Sequence, residues 1–320
     1  MRMDATTIRE ADRSDADLGA FVDIVNATTP DDPRSLDALR WADETYPGSA
    51  RFLAVSAGRP VAAASVGRIY SYPPEFDGLW TTLHVMADAR RQGIGSALLV
   101  AVSDRARTAG KTTLHVPVSD ARPDAVGFFI RRGFEEYERS SMVRLELVDV
   151  IAPAIDLPAG VTLTTLAVRR DLAAEIHAVA VEAFADIPGG GVPTAAGDLA
   201  EFLARDVDRP SIPAEAFMIA VETTTGRVIG YASLLMMPGR ARTAWHDMTA
   251  VVRAWRGRGL AGALKRATIG WAIENGLVAL ETGNDIDNVA MRAVNARLGY
   301  RPMSDQVILR GPLFSGIMDR

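Results

Sequence analysis

Arg90-Arg91-Gln92-Gly93-Ile94-Gly95 recurs 166 residues later as Arg256-Gly257-Arg258-Gly259-Leu260-Ala261, an R-x-x-G-x-G/A pattern in both places. The offset holds beyond the loop: Val85 maps to Val251, Gly133 to Gly299 and Phe134 to Tyr300. A repeat in constant register predicts two copies of one domain. In each copy the loop stands between a strand pattern (79–85, 245–252) and an amphipathic helix pattern (94–108, 260–275). A strand, a glycine turn and a helix N-terminus together make an anion cradle, because backbone N–H groups and the helix dipole point outward. Arg90, Arg91, Arg256 and Arg258 add formal charge there. The G-K-[ST] of a P-loop is missing, which argues against nucleotide hydrolysis.

Around the loops the same order of elements repeats. The first copy reads as a strand near 7–9, a helix over 14–26, hairpin strands at 51–56 and 61–67, the loop unit, a strand at 112–118, a helix over 124–131 and a last strand at 141–147. The second reads as a strand near 162–163, a helix over 172–185, a hairpin at 217–222 and 228–236, the loop unit, a strand at 278–282 and a helix over 288–298. Residues 148–160, with Pro153 and Pro158, read as a linker. The expected domains are therefore 1–148 and 161–320, joined by 149–160. The second copy carries about 11 extra residues before its loop, assigned to Ile187-Pro188-Gly189-Gly190-Gly191-Val192-Pro193, either a mobile lid or an ordinary solvated loop.

Composition narrows the function. The chain has 320 residues, the length of about two domains. It has no cysteine, which removes disulfides, a Cys nucleophile and Cys-ligated zinc. His84, His115, His177 and His246 show no ligand spacing, so no metal is expected. A net charge of −5 argues against nucleic acid. No stretch reaches the roughly 18 apolar residues of a membrane span, and Met1-Arg2-Met3-Asp4-Ala5 opens no secretory leader. A cytoplasmic monomer or homodimer is the expectation. Gly257-x-Gly259-x-x-Gly262, with Glu281 19 residues on, matches a dinucleotide fingerprint literally. Its context is wrong, since the loop lies deep in the domain rather than after the first strand.

Two such loops in register, each followed at the same distance by Gly133-Phe134 or Gly299-Tyr300, resemble the GCN5-related N-acetyltransferases over nearly the whole chain. The tandem arrangement is similar to mycothiol synthase and related actinobacterial acetyltransferases. The resemblance implies an α/β (α+β) fold with two domains, each a mixed, mostly antiparallel sheet with a splayed parallel strand pair and flanking helices. It implies acetyl-CoA as co-substrate, with its pyrophosphate on the loop amides. The expected contacts are Val251, Val252, Arg256, Gly257, Arg258, Gly259, Leu260, Ala261, Asn284 and Asn288 in the second copy, and Val85, Arg90, Arg91, Gly93 and Gly95 in the first. The amide of Val251 is expected to polarise the thioester carbonyl.

Alternate residues of a strand share a face. Straight alternation puts Thr249, Asp247 and Trp245 beside Val251, facing the acceptor, against Leu83, Thr81 and Leu79 in the first copy. Only the second copy offers a carboxylate. Aminolysis of a thioester needs a neutral amine, and a positioned base is worth about 10² to 10⁴ in rate. Asp247 is the candidate base; the alternatives are that it binds the substrate cation or pairs with an arginine. His246 falls on the other face. The family's usual tyrosine near the leaving thiolate is replaced by Asn295 and, in the first copy, Phe129. The alternatives there are Asn295 hydrogen-bonding the sulfur and a water protonating it. The reading is a small-molecule N-acetyltransferase working from its second copy, by direct attack in a ternary complex. The first copy is then non-catalytic, binding acetyl-CoA or completing the substrate cleft. The alternatives are an inactive acyl-CoA sensor or scaffold, and a protein N-terminal or lysine acetyltransferase.

Overall fold

The computed structural model describes residues 6–316 apart from 190, 238 and 241. The reading of Met1–Ala5, and Gly190 within the glycine-rich insertion, lie outside the described residues.

The first half runs β1 (Thr7–Glu10), α1 (Asp15–Thr28), α2 (Leu36–Thr45), β2 (Ala50–Ser56), β3 (Arg59–Arg68), β4 (Leu79–Val85), α3 (Ile94–Thr108), β5 (Thr113–Ser119), α4 (Pro123–Ile130) and β6 (Glu135–Glu146). The second half runs β7 (Val161–Thr165), α5 (Ala173–Phe184), α6 (Leu199–Phe202), β8 (Met218–Glu222), β9 (Val228–Met236), β10 (Thr243–Val251), α7 (Leu260–Glu274), β11 (Ala279–Asp285), α8 (Val289–Arg297), β12 (Arg301–Pro302) and β13 (Gln306–Pro312). Helix α2, capped by Ser35, and strand β13 were not anticipated. Their apolar residues are too few or too irregular to show a period.

The chain folds into two compact units whose limits do not follow the linear boundaries at 148 and 161. One runs to Ile69, resumes over Pro74–Arg139 and takes up the chain again from Gln306; the other comprises Tyr70–Pro73 and Ser140–Asp305. The cause is the last strand of each half. In unit 1, β13 pairs antiparallel with β5, Gln306 opposite Ser119 through Pro312 opposite Thr113. In unit 2, the 140–146 part of β6 pairs antiparallel with β11, Ser140 opposite Asp285 through Glu146 opposite Ala279. Each half thus lends its final strand to the other unit's sheet.

Within each unit the pattern is the same. β1-β2-β3-β4 is antiparallel, β4 and β5 are parallel, and β13 closes antiparallel. β7-β8-β9-β10 is antiparallel, β10 and β11 are parallel, and 140–146 closes. The parallel pairs are short. β4 and β5 pair only at Leu79–Leu114 and Trp80–His115, and β10 and β11 only from Thr243–Ala279 to Trp245–Glu281. Beyond those points the strands part.

The two loops repeat their backbone as well. Gly93 and Gly259 cap α3 and α7 at φ 83° and 84°, a left-handed conformation that costs an L side chain roughly 1–2 kcal/mol. Arg91 adopts φ 64° where the second loop has Gly257 at 74°. The arginines brace the loops: Arg90 Nε donates to the Val85 carbonyl at 3.1 Å, and Arg256 Nε to that of Val251 at 2.8 Å.

Because β13 completes unit 1, a fragment ending at residue 148 leaves the β5 edge and Phe134 uncovered. Gly311 of β13 lies so close to the Phe134 ring that a Cβ there would come within 2.3 Å. The 1–148 fragment is expected to show no cooperative thermal unfolding, and co-expression with 149–320 to restore it, as read by circular dichroism.

Candidate active site

A cleft of about 960 Å³ opens in unit 2 where β10 and β11 part. Its walls include Gly257, Gly259, Leu260 and Ala261 of the loop, Trp245 to Val251 of β10, and Thr282 to Asp285 of β11. Asn288, Met291 and Val294 come from the α8 side, and Asp206 from the π-helical turn Leu203–Val207. The parting is held open by one side chain. Thr282 Oγ1 donates to the His246 carbonyl at 2.9 Å, taking the place of the next strand-to-strand amide bond.

Strand β10 does not alternate straight through. Its pairing with β9 runs Trp245–Leu235 and His246–Leu234, then resumes at Thr249–Ala232, so Asp247 and Met248 form a bulge. The bulge flips the faces beyond it. Ala250 packs in the cluster with Val179 and Ala180 of α5, whereas Val251 packs with Leu260 and Leu264 of α7. Thr249 therefore shares the α7 side with Val251, while Trp245 and Asp247 look to the α5 side. This corrects the expectation that all four share one face. It also corrects the alignment of the two copies. β4 pairs with β3 without interruption, so before the bulge Trp245 corresponds to Trp80 and His246 to Thr81, and the bulge itself has no counterpart in unit 1. Thr81 is buried and donates to the Ser65 carbonyl at 2.6 Å.

The Val252 amide donates to the Ile229 carbonyl. By the alternation of strand hydrogen bonds, the Val251 amide points away from β9, into the gap that β11 has left. A Cβ built on Gly257 or Gly259 would meet nothing within 4 Å, so the loop face is open. Val252 and Arg258 stand off the cleft wall; Arg258 stacks 4.7 Å from the Trp255 ring centroid. Arg256 NH1 pairs at 2.6 Å with Asp186, a carboxylate it shares with Arg253. Asn288 caps α8 through its side-chain oxygen, which accepts from the Met291 amide at 3.2 Å. Glu281 of the literal dinucleotide pattern is held by Arg240 and Arg144. Burial pushes its carboxyl up, and the two arginines more than offset this, leaving it below its ordinary value.

Asp247 is half-buried on the cleft wall. Burial, and then the nearby carboxylate of Asp206, raise its pKa to about 6. Asp206, raised by burial and opposed by its 2.6 Å bridge to Arg205, went unrecognised in the sequence. It sits in a π-turn that no apolar period signals. Tyr231, stacked on Phe217 with centroids 5.4 Å apart, keeps a buried hydroxyl without a hydrogen-bond partner, as does Thr249.

Asn295 does not reach the cleft. It is 2% exposed, and its Nδ2 donates to Asn284 Oδ1 at 2.7 Å. It stands behind a wall formed by its neighbours Val294 and Leu298. Beneath the gap lies a buried polar group on the α7 side. His246 Nδ1 shares a 2.8 Å hydrogen bond with the Tyr300 hydroxyl, and Nε2 one of 3.0 Å with Thr268. Lys265, 1% exposed, lines the cleft with its Nζ 5.5 Å from the Tyr300 ring centroid. Burial lowers the His246 pKa well below its ordinary value, aided by Lys265, and brings Lys265 to about 7.

The Acetyltransferase (GNAT) family profile matches residues 19–134 and 187–300. The chain belongs to this family, twice over. A solved GCN5-related N-acetyltransferase from Sphaerobacter thermophilus superposes with TM-score 0.74 at 20% identity, covering 98% of this chain and 97% of that one. A tandem GNAT protein from the clavulanic acid biosynthesis pathway, solved without AcCoA, gives 0.76 at 21%, covering 97% and 99%. A glucosamine N-acetyltransferase region of a fungal multi-domain β-N-acetylglucosaminidase gives 0.74 at 15%, covering 96% of this chain and 38% of that one. At such identities the likeness is one of fold. The narrower likeness to mycothiol synthases is not carried by these matches. A search among curated proteins finds no match.

A buried lysine that loses its charge costs stability wherever the unfolded chain still binds the proton. With a folded pKa of about 7 and an unfolded one near 10.4, that cost is full below about pH 7 and fades toward pH 10. Lys265→Met should therefore raise the melting temperature at pH 6, by less at pH 9, in parallel calorimetric scans.

Proposed function

We propose that unit 2 transfers the acetyl group of acetyl-CoA to a primary amine of a small molecule, by direct attack within a ternary complex. The observation that carries this reading is Asp247, set by the β10 bulge in the cleft that begins at the glycine loop. Gly257, Gly259, Leu260 and Ala261 present amides to a pyrophosphate at the start of α7. The Val251 amide points into the gap and polarises the thioester carbonyl, favouring the oxyanion as it forms. Asp247, with a pKa of about 6, is mostly ionised at neutral pH and takes the proton from the amine. Trp245 and Asp206 border the acceptor on the same side, and Thr249 on the other. Asn284 and Asn288 stand along the cleft where a pantetheine arm passes. A thioester bound there supplies the activated acyl carbon and a thiolate leaving group.

Unit 1 keeps the loop geometry and its arginine brace, but its β4 has no bulge and carries no carboxylate. Its reading is a non-catalytic copy. A protein of this kind acts without a metal, in the cytoplasm, as a monomer or homodimer.

Asp247→Asn should lower kcat by about 10² or more while acceptor KM changes little. The wild-type kcat/KM should rise with pH through about 6 as Asp247 ionises, and the variant should lose that limb. A variant that stays within tenfold of wild type excludes Asp247 as the base. Gly259→Val should abolish calorimetric binding of acetyl-CoA to unit 2, whereas loss in Gly93→Val alone would transfer the activity to unit 1.

A further inference from the structure

Two corresponding interiors differ beneath the gap. Where unit 2 has Lys265, Thr268, Asn295 and Tyr300, unit 1 has Leu99, Val102, Phe129 and Phe134 at the same loop-anchored offset, all buried. Ordinary packing does not need the polar set, since unit 1 fills the same places with hydrocarbon. Burying an ammonium without a carboxylate costs free energy that evolution removes easily by substitution. Among the described residues, Lys265 Nζ has no hydrogen-bond or ion-pair partner; it faces the Tyr300 ring. It also lines the cleft. His246 from β10 and Tyr300 after α8 face it, Arg266 follows it on α7 and also lines the cleft, and Asp247 lies on the opposite side of β10.

Its reach is set by α7. Lys265 is five residues past Leu260, about 7.5 Å along the axis from the cradle. Val251 and Thr249 are turned to the same side by the bulge. Lys265 thus lines the same cleft on the same side of β10 as Val251 and Thr249. Asn295, the residue at the place of an acid, is withdrawn behind the wall.

We propose that Lys265 is the acid that protonates the departing CoA sulfur, an assignment that rests on unit 2 being the acetyltransferase. The amine nitrogen bonds to the thioester carbon, and the C–S bond breaks with its electron pair on sulfur. Asp247 takes a proton from the amine nitrogen and the Lys265 ammonium gives one to sulfur. Both groups then re-equilibrate with solvent through the cleft. Burial has brought the ammonium to about 7, so near neutrality it holds a proton and releases it readily.

The test uses the full-length protein, with CoA binding read by calorimetry and turnover read as thiol released from acetyl-CoA. On wild type, kcat is expected to fall as the pH rises through about 7, where the Lys265 ammonium is lost. Lys265→Met and Lys265→Leu should lower kcat about 10² near neutrality with the acetyl-CoA KM within about threefold, and should lack that falling limb. Variants that bind CoA as wild type does and keep its kcat and pH profile overturn the role of Lys265 and leave the acetyltransferase reading intact. Failure of wild type to bind CoA overturns both.

Discussion

The parting of β10 from β11 governs the rest of unit 2. Two parallel strands that separate after Trp245 and Glu281 leave edge amides facing one another across an empty gap. Unpaired backbone groups in an interior are costly, so something polar has to meet them. Thr282 meets one, by donating to the His246 carbonyl. The Val251 amide points into the gap. The bulge at Asp247 and Met248 is the second half of the same device, because the extra residue directs a carboxylate to the α5 side and turns Thr249 to the α7 side.

This geometry separates proton traffic by face. On the α5 side, Asp247 and Asp206 bring two carboxylates near the buried Tyr231 hydroxyl; the charge of Asp206 raises Asp247, and both raise Tyr231. On the α7 side, the basic groups Lys265 and His246 lie among Thr268 and Tyr300. The strand keeps the two sets apart, so carboxylates and basic groups line one cleft on opposite faces of β10 without pairing. Perturbed groups gathered at one cavity are the usual physical mark of a reaction centre.

Unit 1 is a control built into the same chain. It shares the glycine caps, the arginine brace and the short parallel pair. It lacks the bulge, and Leu99, Val102, Phe129 and Phe134 pack where the polar group stands in unit 2. The loop therefore belongs to the architecture of both units, whereas the bulge and the polar interior belong to one. The exchange of last strands has a separate consequence. β13 and the 140–146 strand each finish a sheet begun elsewhere in the chain, so neither linear half contains its whole core.

The sequence by itself determined the duplication, the placement of both loops and the family, and it put forward Asp247 as a candidate. These are local properties: glycines at fixed spacing, helices α3 and α7 with clean caps and periods, and one carboxylate in an apolar strand. It also marked 148–160 as a linker, but it did not show where the last strands go, because strand partners are chosen by sheet edges far away in the chain. Tertiary structure alone decided the bulge. One extra residue in a pairing register leaves no mark on composition, yet it overturned the face assigned to Thr249 and the equivalence of Asp247 with Thr81. It also decided Asn295 and Lys265. A helical period says which residues turn inward; only packing says that Asn295 stops behind the wall while Lys265, one of two lysines in the chain, ends at the cleft beside the Tyr300 ring.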